Sequence, residues 1–287
     1  MWIFLNDRFV RREEAVVSVF DHGFLYGDGV YETLRSYGGR IFMLQQHLGR
    51  LQRSATSIGL DLPVPEKDWP ALLHETMERN ALPDARLRIT VSRGEGAIGL
   101  DPALCSRPTV VIMAEPLVLP TTDMVERGVH VSIVSVRRNL ATAVSPQIKS
   151  LNFLNNILAK REAIRAGVYD GLMLNADGHV TEGTTSNVFF VRQGRLCTPG
   201  IEAGILDGVT RDIVLLLARE NGIPIETGLY SAEELRRAEE CFLTSTTIEV
   251  LPVTRIDGSA IGRGQPGPIT TRLRPLFQAS VPRFLET

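Results

Sequence analysis

Lysine is scarce in this chain of 287 residues: of its 31 basic side chains only Lys67, Lys149 and Lys160 are lysine. Amine chemistry therefore has three candidates. Lys67, in Pro65-Glu66-Lys67-Asp68, and Lys160, in Ala159-Lys160-Arg161-Glu162 on the expected wet face of a helix, both read as solvated. Lys149 stands between Pro146-Gln147-Ile148 and Ser150-Leu151-Asn152-Phe153, with no charged residue within ten positions on either side. Poor hydration lowers an amine's pKa and makes it a nucleophile for an aldehyde and a base for a C–H proton; a snorkelling structural lysine is the alternative. Glu182 is a lone acid in Val180-Thr181-Glu182-Gly183-Thr184-Thr185-Ser186-Asn187, either seeking a cationic partner or serving as a turn acid in water. The stretch Gly204–Thr210 starts a helix whose free amides near Val209 and Thr210 suit a phosphate, with Asp207 as a plain N-cap the other reading. Thr244-Ser245-Thr246-Thr247 clusters hydroxyls and amides of the same kind.

The elements that must position these residues follow from periodicity. Strands are expected at Trp2–Leu5, Ala15–Phe20, Val30–Tyr37, Ile41–Leu44, Arg86–Ser92 and Thr109–Ala114. Leu44, Leu48, Leu51, Ala55 and Ile58 form one apolar helical face, and a second helix is expected from Trp69 to Arg79. In the second half, strands are expected at Val129–Val136, Gly171–Asn175, His179–Glu182, Asn187–Val191, Arg195–Thr198 and Cys241–Thr244. Helices are expected at Phe153–Ala166, Thr210–Asn221, Ala232–Ala238 and Thr270–Gln278. The mixture lacks strict strand–helix alternation, so it reads as α+β with two sheet-containing domains. They are residues 1–118 and 129–287, joined by a linker at 119–128.

Composition narrows the classes of function. With 44% hydrophobic and 22% charged residues the chain is an ordinary globular protein. A net charge of −2 gives no basic footprint for a nucleic-acid backbone. Charge-free stretches reach only ten residues, Asn139–Ile148 and Ser150–Ala159, against the 18 or so that a membrane span needs. Charges from Asp7 to Glu14 precede any apolar stretch of signal-peptide length, and Cys105, Cys197 and Cys241 lack metal-ligand spacing. The expectation is a cytoplasmic protein with unpaired thiols, no metal and small-molecule substrates.

In order along the chain, Asp21-His22-Gly23, Tyr26-Gly27-Asp28-Gly29-Val30-Tyr31-Glu32, His47-Leu48-Gly49-Arg50-Leu51, Lys149-Ser150-Leu151-Asn152, Thr181–Asn187, Gly208-Val209-Thr210-Arg211 and Thr244–Glu249 resemble the class IV aminotransferases. The resemblance spans nearly the whole sequence. It implies the two-domain pyridoxal-phosphate fold of type IV, a homodimer or higher homo-oligomer with its site between the domains. It makes Lys149 the lysine that forms the internal Schiff base and moves the proton, and Glu182 the acid paired with the pyridine nitrogen. Arg50, Val209, Thr210 and Thr246 match phosphate-binding positions, and Leu206 matches the residue packed on the ring. Tyr26, Tyr31, Arg88 and Thr247 match substrate positions. A non-enzymatic binding module of this fold would be expected to lack the lysine or its acid, and both are present.

Three activities share the scaffold: branched-chain L-amino acid transamination with an acceptor such as 2-oxoglutarate, D-amino acid transamination, and lysis of 4-amino-4-deoxychorismate. Arg88 and the loop Arg93–Pro102 resemble the branched-chain enzymes, and Ala97–Leu100 lacks the Arg and His of well-known D-specific enzymes. Tyr31-Glu32-Thr33, Phe153 where many branched-chain enzymes have a tyrosine, and Thr184–Asn187 lean toward the other branches. Branched-chain transamination is the favoured expectation. Period two puts Arg86 and Arg88 on one strand face, and Arg88 is the leading cation for a substrate carboxylate, a structural ion pair being its other role.

Overall fold

The computed structural model describes residues 1–286. The chain forms two compact units: Met1–Val118 with Ile148–Phe153 and 283–286, and Leu119–Gln147 with Leu154–Pro282.

In the first unit, β1 (Trp2–Leu5) and β2 (Arg8–Arg11) form a hairpin. They are followed by α1 (His22–Tyr26), β3 (Gly29–Tyr37), β4 (Arg40–Ile41), α2 (Leu44–Ser57), α3 (Trp69–Arg79), β5 (Ala85–Ser92) and β6 (Thr109–Pro116). The strands make one antiparallel sheet in the order β2-β1-β6-β5-β3-β4. Alternation sends Phe4, Leu34, Leu87, Ile89 and Ile112 to one face, where they pack against the apolar sides of α2 and α3. Glu32 shares that face, between Val30 and Leu34 and opposite Ile89, and is completely buried.

Ala15–Phe20, expected as a strand, is irregular, and Val16 and Val19 are exposed. Its alternation finds no neighbouring strand, because β2 takes the place beside β1. The expected strand Ile41–Leu44 shortens to Arg40–Ile41, since Met43 turns left-handed (φ 53°) as the N-cap of α2. Residues 284–286 hold this turn. Met43 N–H donates to Phe284 O at 2.9 Å, Ile41 N–H to Glu286 Oε1 at 2.5 Å and Arg40 Nε to Glu286 O at 3.0 Å. At the other end of α2, Arg93 donates to the carbonyls of Ile58 (2.7 Å) and Gly59 (2.6 Å) and grips Asp28 at 2.8 Å.

The second unit contains α4 (Thr122–Arg127), β7 (Val129–Arg137), α5 (Leu154–Arg165), β8 (Asp170–Leu174), β9 (Asn187–Arg192), β10 (Arg195–Pro199) and α6 (Val209–Glu220). These are followed by β11 (Ile225–Gly228), α7 (Ala232–Arg236), β12 (Glu240–Ser245), β13 (Glu249–Ile256), β14 (Ser259–Ala260) and α8 (Pro268–Ser280). One mixed sheet runs β11-β10-β9-β12-β13-β7-β8, with β14 on β13. The expected strand at His179–Glu182 reduces to isolated bridges such as Leu174–Val180 and Glu182–Asn187. Strand β13 lies outside the expected elements, and it carries Pro252, a residue that cannot donate to a sheet ladder. Its neighbour β7 pairs only from Val253 onward, so no ladder bond to β7 is required of the proline. Among the described residues no helix is long and apolar enough to cross a membrane.

The division differs from a single cut at 119–128. That segment holds α4, packed on β13, and 148–153 return to the first unit by pairing with β3. Gly94, beside Arg93, adopts φ +96°, and a Cβ there would lie 1.8 Å from the carbonyl oxygen of Arg107. Gly94→Ala should therefore lower the melting temperature by several degrees in calorimetry, at about 2–4 °C per kcal/mol for a protein of this size.

Candidate active site

Lys149 is placed by backbone pairing. Tyr31 N–H donates to Lys149 O and Leu151 N–H to Gly29 O, each at 2.9 Å, while Lys149 N–H donates to Ser54 Oγ of α2 at 3.1 Å. Lys149 Nζ stands 4.7 Å from the centroid of the Tyr31 ring, and the Arg88 guanidinium carbon lies 4.0 Å from the same centroid. Phe153 meets that ring edge-on at 5.7 Å and brings no phenol. Arg88 Nε also donates to Thr90 Oγ1 at 3.2 Å, whereas Arg86 spends its charge on Glu115 of the adjacent strand β6, where both side chains are exposed. The structure thus gathers Tyr31, Arg88 and Lys149. Tyr26, in α1, accepts from Gly99 N–H at 3.2 Å through its hydroxyl and steadies the loop after Arg93. Lys160, expected to be solvated, donates to Tyr169 O and lies 3.8 Å from Asp170.

Arg50 lies on the same helix as Ser54 and is nearly buried. Its Nε donates to Glu32 Oε1 at 2.6 Å and its Nη2 to Oε2 at 2.9 Å, and His47 Nδ1 meets Oε2 at 2.8 Å. Burial alone would push Glu32 up, but the Arg50 charge, His47 and their hydrogen bonds hold it well below the usual carboxylate range. The carboxylate is ionised and His47 Nδ1 carries the donated hydrogen. Burial holds His47 below its ordinary value of 6.5, against the opposing pull of Glu32.

In the second unit, Glu182 Oε1 accepts from Arg138 Nε at 2.9 Å and Oε2 from Leu206 N–H at 3.0 Å. Asn187 ties the same pair together, its Nδ2 reaching Leu206 O at 3.0 Å and Glu182 Oε2 at 3.4 Å. Glu182 is therefore a buried, partnered acid rather than a turn acid in water. Helix α6 begins with Gly208 as N-cap and no side-chain cap, so Asp207 does not serve as the cap. Thr210, in the first turn, is 2% exposed and its Oγ1 has no hydrogen-bond partner. Thr246, Thr247 and Ile248 form the tight connection from β12 to β13, with Ser245 Oγ 3.4 Å from Thr247 Oγ1. Thr244 pairs in register with Asn187, so this connection and Glu182's partner lie at one end of the sheet. An unpartnered buried hydroxyl on an uncapped helix start suits a phosphate within the second unit; within the first unit, the amine of Lys149 suits an aldehyde.

Glu32, His47 and Arg138 were not assigned these partners by sequence reasoning. Glu32 could have been found as a charge in the apolar row Val30, Glu32, Leu34. Nothing in the sequence separates Arg138 from Arg137.

Residues 29–256 match the family "Amino-transferase class IV". A Methanocaldococcus jannaschii protein whose name provisionally assigns it as a branched-chain-amino-acid aminotransferase is 44% identical over 278 residues, 97% of this chain and 96% of that protein. The D-alanine aminotransferase of Bacillus licheniformis is 37% identical (98% and 97% covered), and the aminodeoxychorismate lyase of Bacillus subtilis 35% (99% and 96%). Among solved structures, the T.th. branched-chain amino acid aminotransferase with pyridoxamine 5′-phosphate superposes with a TM-score of 0.95 at 30% identity (99% and 97% covered). The Thermoproteus uzoniensis branched-chain aminotransferase with norvaline gives 0.92 at 34% identity (100% and 98%). The chain belongs to the class IV aminotransferases, in the α+β fold of type IV. It is a pyridoxal-phosphate-dependent aminotransferase.

His47 supplies a test of the buried cluster. A histidine whose folded pKa is depressed stabilises fully above its unfolded value and loses that contribution as pH falls through the folded one. Below pH 6.5 the melting temperature should fall, and in calorimetry between pH 7 and pH 5 His47→Gln should show a smaller fall than the parent.

Proposed function

We propose that the chain moves an amino group between a branched-chain L-amino acid and a 2-oxo acid such as 2-oxoglutarate. The observation that carries this reading is the meeting of Arg88 and Lys149 on the ring of Tyr31. A guanidinium beside an amine suits a molecule with a carboxylate next to its amino group. In this reading Lys149 Nζ takes and returns the proton at the substrate's α-carbon, and Arg88, Tyr31, Tyr26 and Thr247 orient the substrate. Arg50, Val209, Thr210 and Thr246 bind the cofactor phosphate, Leu206 packs on its ring, and Glu182, steadied by Arg138, faces its ring nitrogen. Pyridoxal 5′-phosphate, when bound, supplies an electron sink for the charge that develops at that carbon.

The branched-chain choice draws on the 44% identical relative and on the absence of Arg and His from Ala97–Leu100. D-amino acid transamination is the second reading, favoured by Phe153 at Tyr31 and by the D-alanine aminotransferase relative. A panel of L-leucine, D-alanine and aminodeoxychorismate, added to holoenzyme with Lys149→Ala as the inactive control, separates the readings. L-Leucine should bleach the cofactor's visible absorbance, and bleaching by D-alanine alone would replace the proposal with the second reading. Arg88→Leu should raise KM for amino donors at least about tenfold, equivalent to about 1.4 kcal/mol, with cofactor binding kept. An unchanged KM would make Arg88 structural.

The first unit also presents an apolar surface. Phe20, Phe24 and Leu25 are exposed, and the loop bearing Ile98 and Leu100 is tied to α1 through His22 Nε2 and Ala97 O at 2.9 Å. With Phe24 73% and Leu100 85% exposed, a second copy of the chain is the proposed cover, giving a cytoplasmic homodimer. Sedimentation should give a dimer mass for the parent and a monomer mass for Phe24→Asp.

A further inference from the structure

We infer that Glu32 is a positioning residue for the cofactor phosphate, setting the Arg50 guanidinium from the core side while His47 fixes the carboxylate. The inference rests on the reading of Arg50 as the phosphate arginine and concerns what aims it. Glu32 lies on the face of β3 that otherwise supplies the apolar core, opposite Ile89, with no exposed surface. An ionised carboxylate in that row loses its hydration, and an apolar residue of similar volume would serve packing as well or better. Its geometry is that of an aiming device. The two oxygens take Nε and Nη2 at 2.6 and 2.9 Å, and this two-point grip sets the plane of the guanidinium as well as its position. His47 adds a third contact, 2.8 Å to Oε2, which stops the carboxylate rotating. Because that oxygen only accepts, Nδ1 carries the hydrogen. Nε2 is then a buried atom without a hydrogen-bond partner, and the imidazole acts as a strut rather than a second cation.

The same helix face connects this grip to the amine. His47, Arg50 and Ser54 follow one another at steps of three and four residues along α2, and Ser54 Oγ accepts from the backbone of Lys149 at 3.1 Å. Glu32 thus anchors a helix face that carries the phosphate arginine at one position and supports the lysine segment one turn further on. Since Glu32 neutralises Arg50, its contribution to phosphate binding is orientation rather than added charge.

The test uses full-length enzyme resolved to apoprotein with an amino donor and inorganic phosphate, then titrated by absorbance with pyridoxal 5′-phosphate and, separately, with pyridoxal, which lacks the phosphate. Glu32→Gln should reduce the preference for the phosphorylated form at least tenfold while leaving pyridoxal affinity unchanged. If Glu32→Gln does not fold, Glu32→Asp, which keeps the charge but draws the fork back by one methylene, should show the same phosphate-selective loss. An unchanged or increased preference, a parallel loss of both affinities, or failure of both variants to fold assigns Glu32 to the core alone and overturns the inference. Arg50→Gln is measured alongside. Should it keep the parent's preference, the Arg50 reading itself fails; should it lose that preference while the Glu32 variants keep it, only the role of Glu32 fails.

Discussion

The pairing of Gly29–Tyr31 with Lys149–Leu151 is the constraint on which the candidate site depends. Strand β4 is only two residues long and covers β3 at Ser36 and Tyr37, which leaves the beginning of β3 to be paired by another segment. Residues 149–151 take that place, so the lysine is held by main-chain hydrogen bonds rather than by its own flexible side chain. Tyr31 then serves twice: its amide fixes the lysine's backbone, and its ring lies beside the lysine's amine and the guanidinium of Arg88. A substitution that disturbed the edge of β3 would displace three functional groups together.

In each unit a buried carboxylate meets a largely buried guanidinium, Glu32 with Arg50 and Glu182 with Arg138. Such pairs lose much of their attraction to desolvation, and removing one partner typically costs about 3–5 kcal/mol because the other is left buried and uncompensated. Their common property is direction. A carboxylate held by an arginine and by a further donor, His47 in one case and the Leu206 amide in the other, has few rotations left. On the roles proposed for Arg50 and Glu182, that rigidity matters more than net stability.

Much of this was legible in the sequence because it rests on local patterns. The charge-poor setting of Lys149, the lone acid Glu182 and the start of α6 at Gly208-Val209-Thr210 are each readable within a few residues. The period of Leu44, Leu48, Leu51 and Ala55 likewise gives α2 directly. The illegible features are those in which a distant partner decides. Ala15–Phe20 alternates like a strand but has no neighbour, while Glu249–Ile256 contains a proline and is nonetheless central, because the adjoining strand begins past it. Lys149 reads as part of the second half until the vacant edge of β3 is known. Arg138 is one of two adjacent arginines, and only the fold shows which one reaches Glu182.

The hold of residues 284–286 on Arg40, Ile41 and Met43 has a consequence for how the protein is made. A ribosome releases the chain from its beginning, yet the left-handed turn that opens α2 receives its hydrogen-bond partners from residues some 240 positions later. The first unit, although encoded mostly before the second, is therefore completed only after it. While the second unit is being synthesised, the helix bearing Arg50 waits without its clasp, and the nascent chain has to rely on the core of α2 and α3 against the sheet to remain folded.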